Sequence, residues 1–187
     1  LLYIMKKRIT FIISYFFIVF LLFVCQKPLF MLYNEAIDKG LSFNDFCQVM
    51  FHGMSLDATT AGYLTAFPFL CILVSIWLKK FPLRKILLPY YIVISILISL
   101  VFVGDMALYP FWGFKLDASI FLYLDSPKEA LASVSTGFVL LRVAVILLLV
   151  VFHVWLMRKV TPKRLQAVSK RLAGTGGMIL LGGLLFV

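Results

Sequence analysis

Acidic residues are scarce in this chain of 187 residues, and their positions are restricted. The chain has eight Asp and Glu against eighteen Lys and Arg. The acids occur only in segments 26–57 and 105–133, as Glu35, Asp38, Asp45, Asp57, Asp105, Asp117, Asp125 and Glu129. The basic residues cluster in the alternate gaps between apolar runs, at 6–8, 79–85 and 158–171. Such alternation is typical of a polytopic membrane protein and predicts its orientation.

Residues that bind metals through nitrogen or sulfur are also few. The two histidines, His52 and His153, are predicted on opposite sides of the membrane, and the three cysteines form no CxxC pair. This composition excludes a His/Cys metal site within the chain. Cys71 lies inside an apolar run. Cys25 and Cys47 both fall on the acidic side of the membrane, and the sequence allows either a disulfide between them or two free thiols.

The composition excludes an ordinary soluble domain. Apolar residues make up 63% of the chain, aromatic residues 16%, and the mean hydropathy is +1.06, more than a core of this size can bury. A formal charge of +10 would suit nucleic acid, but the basic clusters flank apolar runs. We therefore expect contact with membrane phospholipids and no nucleic-acid partner.

The apolar runs predict an all-α polytopic protein, a single membrane domain over 1–187 with five transmembrane helices. The predicted spans are about 9–25, 58–78, 86–104, 134–157 and 172–187. The runs are continuous and too long for strands of a membrane β-barrel, and helices satisfy their own backbone in lipid. No small-residue cleavage site follows the first run, which predicts an uncleaved signal anchor.

The loops predict the orientation. Thirteen of the eighteen Lys and Arg lie at the start, in 79–85 and in 158–171, which places the N-terminus in the cytoplasm and, after five crossings, the C-terminus outside. The last run, 172–187, ends without a polar flank. We expect this span to be truncated and to continue on the outer side, because a terminal carboxylate in hydrocarbon is costly.

Both outer loops carry helix-start patterns. Residues 42–54 begin with a capping box, Ser42 and Asp45, followed by large apolar side chains at helical spacing. This pattern predicts an amphipathic helix at the membrane interface, or one packed on top of the bundle. A second start, from Ser126 to Glu129 with proline at the first helical position, predicts an interfacial helix in the other loop.

A short repeat links the two outer loops. Segment 53–59, Gly-Met-Ser-Leu-Asp-Ala-Thr, recurs as Gly-Phe-Lys-Leu-Asp-Ala-Ser at 113–119. Duplication and coincidence are both open. Each copy places an aspartate, Asp57 or Asp117, at an outer boundary, where capping of a helix is the expected role. The alternative is that these carboxylates ligate a metal or orient a lipid headgroup.

The same segments carry a family resemblance. The run His52-Gly53-Met54-Ser55-Leu56-Asp57-Ala58, which leads to Pro68, and the segment 105–130 with Trp112-Gly113-Phe114 are the residues concerned. They resemble the N-terminal membrane region of bacterial lipoteichoic-acid-synthase-like proteins of the sulfatase superfamily. The resemblance covers essentially the whole chain.

The resemblance implies a function for a longer protein in the bacterial inner membrane. It implies an extracytoplasmic domain of alkaline-phosphatase type after residue 187, with a threonine nucleophile and a divalent metal, manganese or zinc. Such proteins transfer phosphoglycerol or phosphoethanolamine from a phospholipid to an envelope glycan or lipid. This chain has no catalytic residue or cofactor of that kind, so we expect a membrane-anchoring and lipid-presenting module for its own downstream domain. The alternatives are a small transporter or channel, and a passive anchor for a sulfatase-type hydrolase.

Arg142 is the one strong charge inside a predicted span. Ionisable residues within the membrane are costly and are often functional. We expect Arg142 either to form an ion pair with a carboxylate or to contact the phosphate of a lipid, because its planar guanidinium can make two parallel hydrogen bonds to either group. The candidate carboxylates are those of Asp57, Asp105 and Asp117.

Two aromatic residues complete the candidate site. Tyr109 and Trp112 lie near the outer end of the third span, which is typical of an aromatic belt at the interface. They would also serve as a floor beneath a catalytic domain that admits a lipid headgroup from the side.

Overall fold

The computed structural model describes residues 2–34, 40, 42–78, 81–113, 115–116, 135–163, 165–166, 168 and 171–186. Within these ranges the regular structure is helical and contains no strand. The helices are α1 (Leu2–Tyr33), α2 (Phe43–Trp77), α3 (Leu83–Trp112), α4 (Thr136–Val160) and α5 (Arg171–Phe186). The all-α prediction is therefore confirmed.

Four of the described helices are long and apolar enough to cross a membrane. These candidate spans are Met5–Tyr33, Phe43–Trp77, Leu83–Phe111 and Thr136–Val160. Even the last of them, with 25 residues, is about 38 Å long against about 30 Å of hydrocarbon. The predicted fifth span corresponds to α5, which has 16 residues and is about 24 Å long. The fifth crossing stays a prediction.

The helices run beyond the predicted spans. α1 continues past Cys25 through Pro28, and α3 continues past Gly104 through Pro110. Hydropathy marks only the part of a helix that suits lipid, whereas backbone hydrogen bonding continues into the polar turns at each end. The predicted spans therefore cover only part of α1 and α3.

The predicted capping box at Ser42 is present, and α2 starts there. The Ser42 hydroxyl accepts from the Asn44 N–H at 3.3 Å, and the Asp45 carboxylate accepts from the Ser42 N–H at 3.2 Å. Residues 43–54 are not a separate helix, however, because they form the first part of the 35-residue α2. The second predicted interfacial helix, from Ser126, lies outside the described residues.

Neighbouring helices pack in alternating directions. α1 and α2 are antiparallel, since Arg8 near the start of α1 reaches Ser75, while Lys27 near its end reaches Asp57. α1 and α4 are also antiparallel, because the Tyr15 hydroxyl lies 3.9 Å from the Met157 sulfur and Tyr33 meets Arg142. The bundle therefore has two chemically different ends.

We call these ends the basic end and the acidic end. The basic end contains Arg8 of α1, Ser75 of α2 and the turn between α4 and α5. The acidic end contains residues 27–33 of α1, Asp57 of α2, the last turns of α3 and the first turns of α4. α5 starts at the basic end, and the first of its glycines, Gly174, lies near Met5 and Ile76.

The core lies between the basic end and the middle of the bundle. Tyr15 stacks on Tyr91 with ring centroids 5.6 Å apart, and both side chains are buried. Around them are Phe11, Ile12, Val19, Ile72, Leu87 and Met157, all buried. The outward face of α4, by contrast, exposes Leu141, Val145, Leu148 and Trp155, as expected of a face that contacts lipid.

Two arginines of the basic clusters satisfy helix carbonyls at the basic end. Arg8, which is 1% exposed, donates to Ser75 Oγ and the Ser75 carbonyl at 3.4 Å and to the Gln166 carbonyl at 3.0 Å. Arg84 donates to the Thr161 carbonyl at 2.7 and 3.1 Å. Because the last carbonyls of a helix have no partner within it, these contacts stabilise the ends of α2 and α4.

Candidate functional site

At the acidic end, the last turns of α1 contact residues of the other three long helices. Lys27, Phe30 and Tyr33 are three residues apart, so their side chains span about 120° around the helix axis. Each of them contacts a different helix. We call this group the outer cluster, and its members are Lys27 with Asp57 of α2, Phe30 with Tyr109 of α3, and Tyr33 with Arg142 of α4.

Lys27 and Asp57 form an ion pair between Nζ and Oδ2. Asp57 is 8% exposed and lies well inside α2, so its expected role as a helix cap is wrong. Gly53, one turn earlier, gives the lysine its space, because a Cβ at that position would overlap Lys27 Nζ. The pair is a structural bridge between α1 and α2.

Asp105 binds the chain that follows α3. Its Oδ1 accepts from the Leu116 N–H at 2.6 Å. Between them Gly113 adopts a left-handed conformation with φ of 72° and donates its N–H to the Tyr109 carbonyl at 2.9 Å, as is common after a helix. Asp105 therefore fixes the exit of α3 and forms no ion pair with a described residue.

The sequence repeat does not give a repeated structure in the part that is described. Gly53 lies in the interior of α2, whereas Gly113 ends α3 in a conformation that favours glycine. Asp117, the counterpart of Asp57, lies outside the described residues. The shared segment thus takes two backbone conformations at its first position.

The aromatic part of the outer cluster joins α1 to α3. Tyr109 meets the Phe30 ring edge-on, with centroids 4.9 Å apart. Lys115 Nζ lies 4.6 Å from the centroid of the same ring, a cation–π contact. Trp112 is the last residue of α3, and its side chain lies outside what is described.

Arg142 contacts neighbours other than the expected carboxylates. Nη2 donates a hydrogen bond to the Tyr33 hydroxyl, and the guanidinium carbon lies 3.7 Å from the centroid of the Phe138 ring. Within the described ranges the Lys27–Asp57 contact is the only ion pair. Pairing of Arg142 with Asp57 or Asp105 is therefore not found, and pairing with Asp117 lies outside the described residues.

Lys27, Phe30 and Tyr33 were missed as site residues by the sequence reasoning. The predicted first span ended at Cys25, which left these residues in a loop. Two signals were available, namely the single lysine at the end of an apolar run and the spacing of three shared by the lysine and the two rings.

The charges around the outer cluster are mixed. Lys27 is paired with Asp57, Lys115 precedes the residue whose N–H binds Asp105, and Arg142 has no carboxylate partner among the described residues. Among the described residues no group of three His, Cys, Asp or Glu could hold a metal ion, and Cys25, Cys47 and Cys71 are free thiols.

No protein-family model, curated protein or solved structure matches this chain. Its function therefore has to be inferred from its own residues.

Proposed function

We propose that this chain is the membrane-anchoring and lipid-presenting module of an envelope phospholipid-headgroup transferase in the bacterial inner membrane. The observation that carries this proposal is the outer cluster. All four membrane-length helices of the described structure contribute to it, and it combines aromatic rings, a hydroxyl and a cation at one end of the bundle. These are the groups that contact phospholipid headgroups at an interface.

The charge distribution supports an outward-facing acidic end. The three basic clusters flank the opposite ends of the helices, and the exposed Arg158 and Lys159 end α4 there. Lysine and arginine are retained on the cytoplasmic side during insertion. The outer cluster would then face the outer leaflet, from which an envelope transferase takes its lipid.

The proposed role is positional. Transfer of a headgroup needs the lipid phosphate at a fixed height and angle beneath the catalytic groups, and such positioning supplies a large share of rate enhancement. The chemistry itself, with a threonine nucleophile and manganese or zinc, belongs in this proposal to the downstream extracytoplasmic domain that the resemblance implies. That domain and membrane phospholipids are the proposed partners.

Buried polar groups between α3 and α4 do not favour the alternative of a transporter or channel. Ser99 Oγ lies 3.4 Å from His153 Nδ1, and the Tyr91 hydroxyl lies 2.8 Å from Thr161 Oγ1. These pairs connect two helices directly, as polar residues commonly do between membrane helices. Midplane transport sites instead use interrupted helices with exposed backbone groups.

The proposal is tested with the full-length protein encoded by the gene. Purified protein in vesicles of phosphatidylglycerol or phosphatidylethanolamine, labelled in the acyl chains, should release diacylglycerol when manganese or zinc is present. The released headgroup should appear on an acceptor or in water. No release from either lipid, or a gene without a sulfatase-type domain after Val187, would contradict the proposal.

A second experiment distinguishes a lipid-presenting module from a passive anchor. The Arg142→Gln and Tyr109→Ala variants of the full-length protein should transfer the headgroup more slowly at unchanged expression. Unchanged transfer by both variants would indicate a passive anchor.

A further inference from the structure

We propose that Arg142, together with the Tyr33 hydroxyl, binds the phosphodiester group of a phospholipid in the leaflet at the acidic end. The inference deepens the proposed function, because it identifies the part of the lipid that the module holds. It rests on that function only for the later use of the bound lipid. The ligand is recognised through its phosphate, so the site is independent of the headgroup alcohol.

The depth of Arg142 matches that of lipid phosphates. α4 has 25 residues, so a centred helix extends about 4 Å beyond the hydrocarbon at each end. Arg142 is six residues after Thr136, which places its Cα about 5 Å inside the hydrocarbon. The guanidinium lies over Phe138, one turn nearer the acidic end, and this position brings the charge to the boundary where phosphates lie.

The hydrogen-bonding capacity of Arg142 is mostly unused by the described residues. A guanidinium has five N–H donors, and the described structure uses Nη2 for one bond to Tyr33. Arg84 at the other end differs, because it donates to two backbone carbonyls, those of Thr161 and Arg158. The Phe138 ring covers one flat face of Arg142 and leaves the N–H edge available for two parallel bonds to phosphate oxygens.

The neighbouring cations are less suited to this role. Lys27 has Asp57 as its counterion, and Lys115 lies over the Phe30 ring. Arg142 is half-buried and has no carboxylate partner within the described ranges. The guanidinium lies at the hydrocarbon boundary, and the anion that the membrane itself supplies there is the lipid phosphate.

An exposed apolar stripe runs along α4 next to the face that carries Arg142, centred about 100° around the helix from it. Leu141, Val145 and Leu148 are 57%, 41% and 69% exposed, and Phe152 and Trp155 follow at helical spacing. A lipid whose phosphate is bound at Arg142 would lay its acyl chains along this stripe. The site thus fits a whole phospholipid at the surface of the bundle.

The test measures phospholipids retained by the full-length protein in native mass spectrometry after extraction from phosphatidylglycerol and phosphatidylcholine nanodiscs. Wild-type protein should retain a phospholipid from both membranes. Arg142→Gln should weaken retention about tenfold, the loss expected for a charge-assisted hydrogen-bonded pair. Arg142→Lys, which keeps the charge without the fork, should fall between them. Thr59→Val, which changes an exposed side chain of α2 whose hydroxyl donates to the Ser55 carbonyl, should retain lipid like wild type.

Tyr33→Phe keeps the ring and removes the hydroxyl, so it provides a variant that folds even if Arg142→Gln does not. It should weaken retention about threefold, a smaller loss than that of the arginine. Equal retention by wild type, Tyr33→Phe and folded Arg142→Gln would overturn the inference. Displacement of the lipid by millimolar inorganic phosphate would also overturn it, by assigning the site to a soluble anion. Lipid retention without diacylglycerol release would support the phosphate site while contradicting the proposed transfer.

Discussion

At the scale of single residues, Lys27 and Arg142 differ in how their charge is balanced. Lys27 has a carboxylate partner in the neighbouring helix, whereas Arg142 has a hydroxyl and an aromatic ring. The first arrangement stabilises the fold, and the second leaves charge for a ligand. Both depend on α1 extending past Cys25, because Lys27 and Tyr33 lie on its last turns.

The ion pair gives a stability prediction. Asp57→Asn leaves Lys27 without a counterion in a site where the two side chains are 15% and 10% exposed, so the free energy of unfolding should fall by about 2–3 kcal/mol. The Lys27→Met/Asp57→Asn double variant should lose less than the sum of its single variants. Unfolding by SDS in mixed micelles measures these values. Additive losses would show that the two residues do not interact.

Gly53 should be sensitive because of the same pair. Gly53→Ala places a methyl group where Lys27 Nζ lies, so it should destabilise the protein even though alanine favours a helix. In the Lys27→Ala background, which removes both overlapping atoms, the change should become neutral or stabilising. Gly137→Ala is the matched control, since nothing lies within 4 Å of its added Cβ, and it should stabilise by about 0.5–1 kcal/mol. A similar gain at Gly53 with Lys27 present would contradict the contact.

At the scale of elements, Gly182 lies at a close contact between α5 and α2. A Cβ at Gly182 would lie 2.6 Å from the end of the Phe69 ring, whereas one at Gly183 would meet nothing within 4 Å. Gly182→Ala should therefore destabilise by about 1–3 kcal/mol through overpacking, and Gly183→Ala should be neutral or stabilising. The free energy of unfolding distinguishes them. Equal effects of the two substitutions would show that α5 does not pack on Phe69.

The elements also show what the sequence could and could not predict. Hydropathy located the four membrane-length helices, and the capping box located the start of α2 at Ser42. The partners within the outer cluster were not predictable, because the contact between Lys27 and Asp57 depends on the register of two helices, which side chains far apart in sequence determine. Asp57 was expected to cap a helix since the apolar run starts beside it. The described α2 starts about two fifths of its length before Asp57.

At the scale of the whole molecule, the arginines at the two ends of the bundle have different binding partners. At the basic end, Arg8 and Arg84 bind backbone carbonyls of α2, α4 and the α4–α5 turn. At the acidic end, Arg142 donates to the Tyr33 hydroxyl and is the residue that we propose binds a lipid phosphate. If the acidic end faces outward, this proposed phosphate site and the proposed downstream domain lie on the same side of the membrane.

That orientation is tested most directly by labelling single cysteines in intact cells with a membrane-impermeant maleimide. Cys25, Cys47 and Cys71 are first replaced by serine or alanine, and the Lys115→Cys and Lys163→Cys variants are then compared, because both lysines are exposed and lie at opposite ends of the bundle. Lys115→Cys should react in intact cells, and Lys163→Cys only after the membrane is permeabilised. The reverse pattern would place the outer cluster in the cytoplasm and contradict its proposed role.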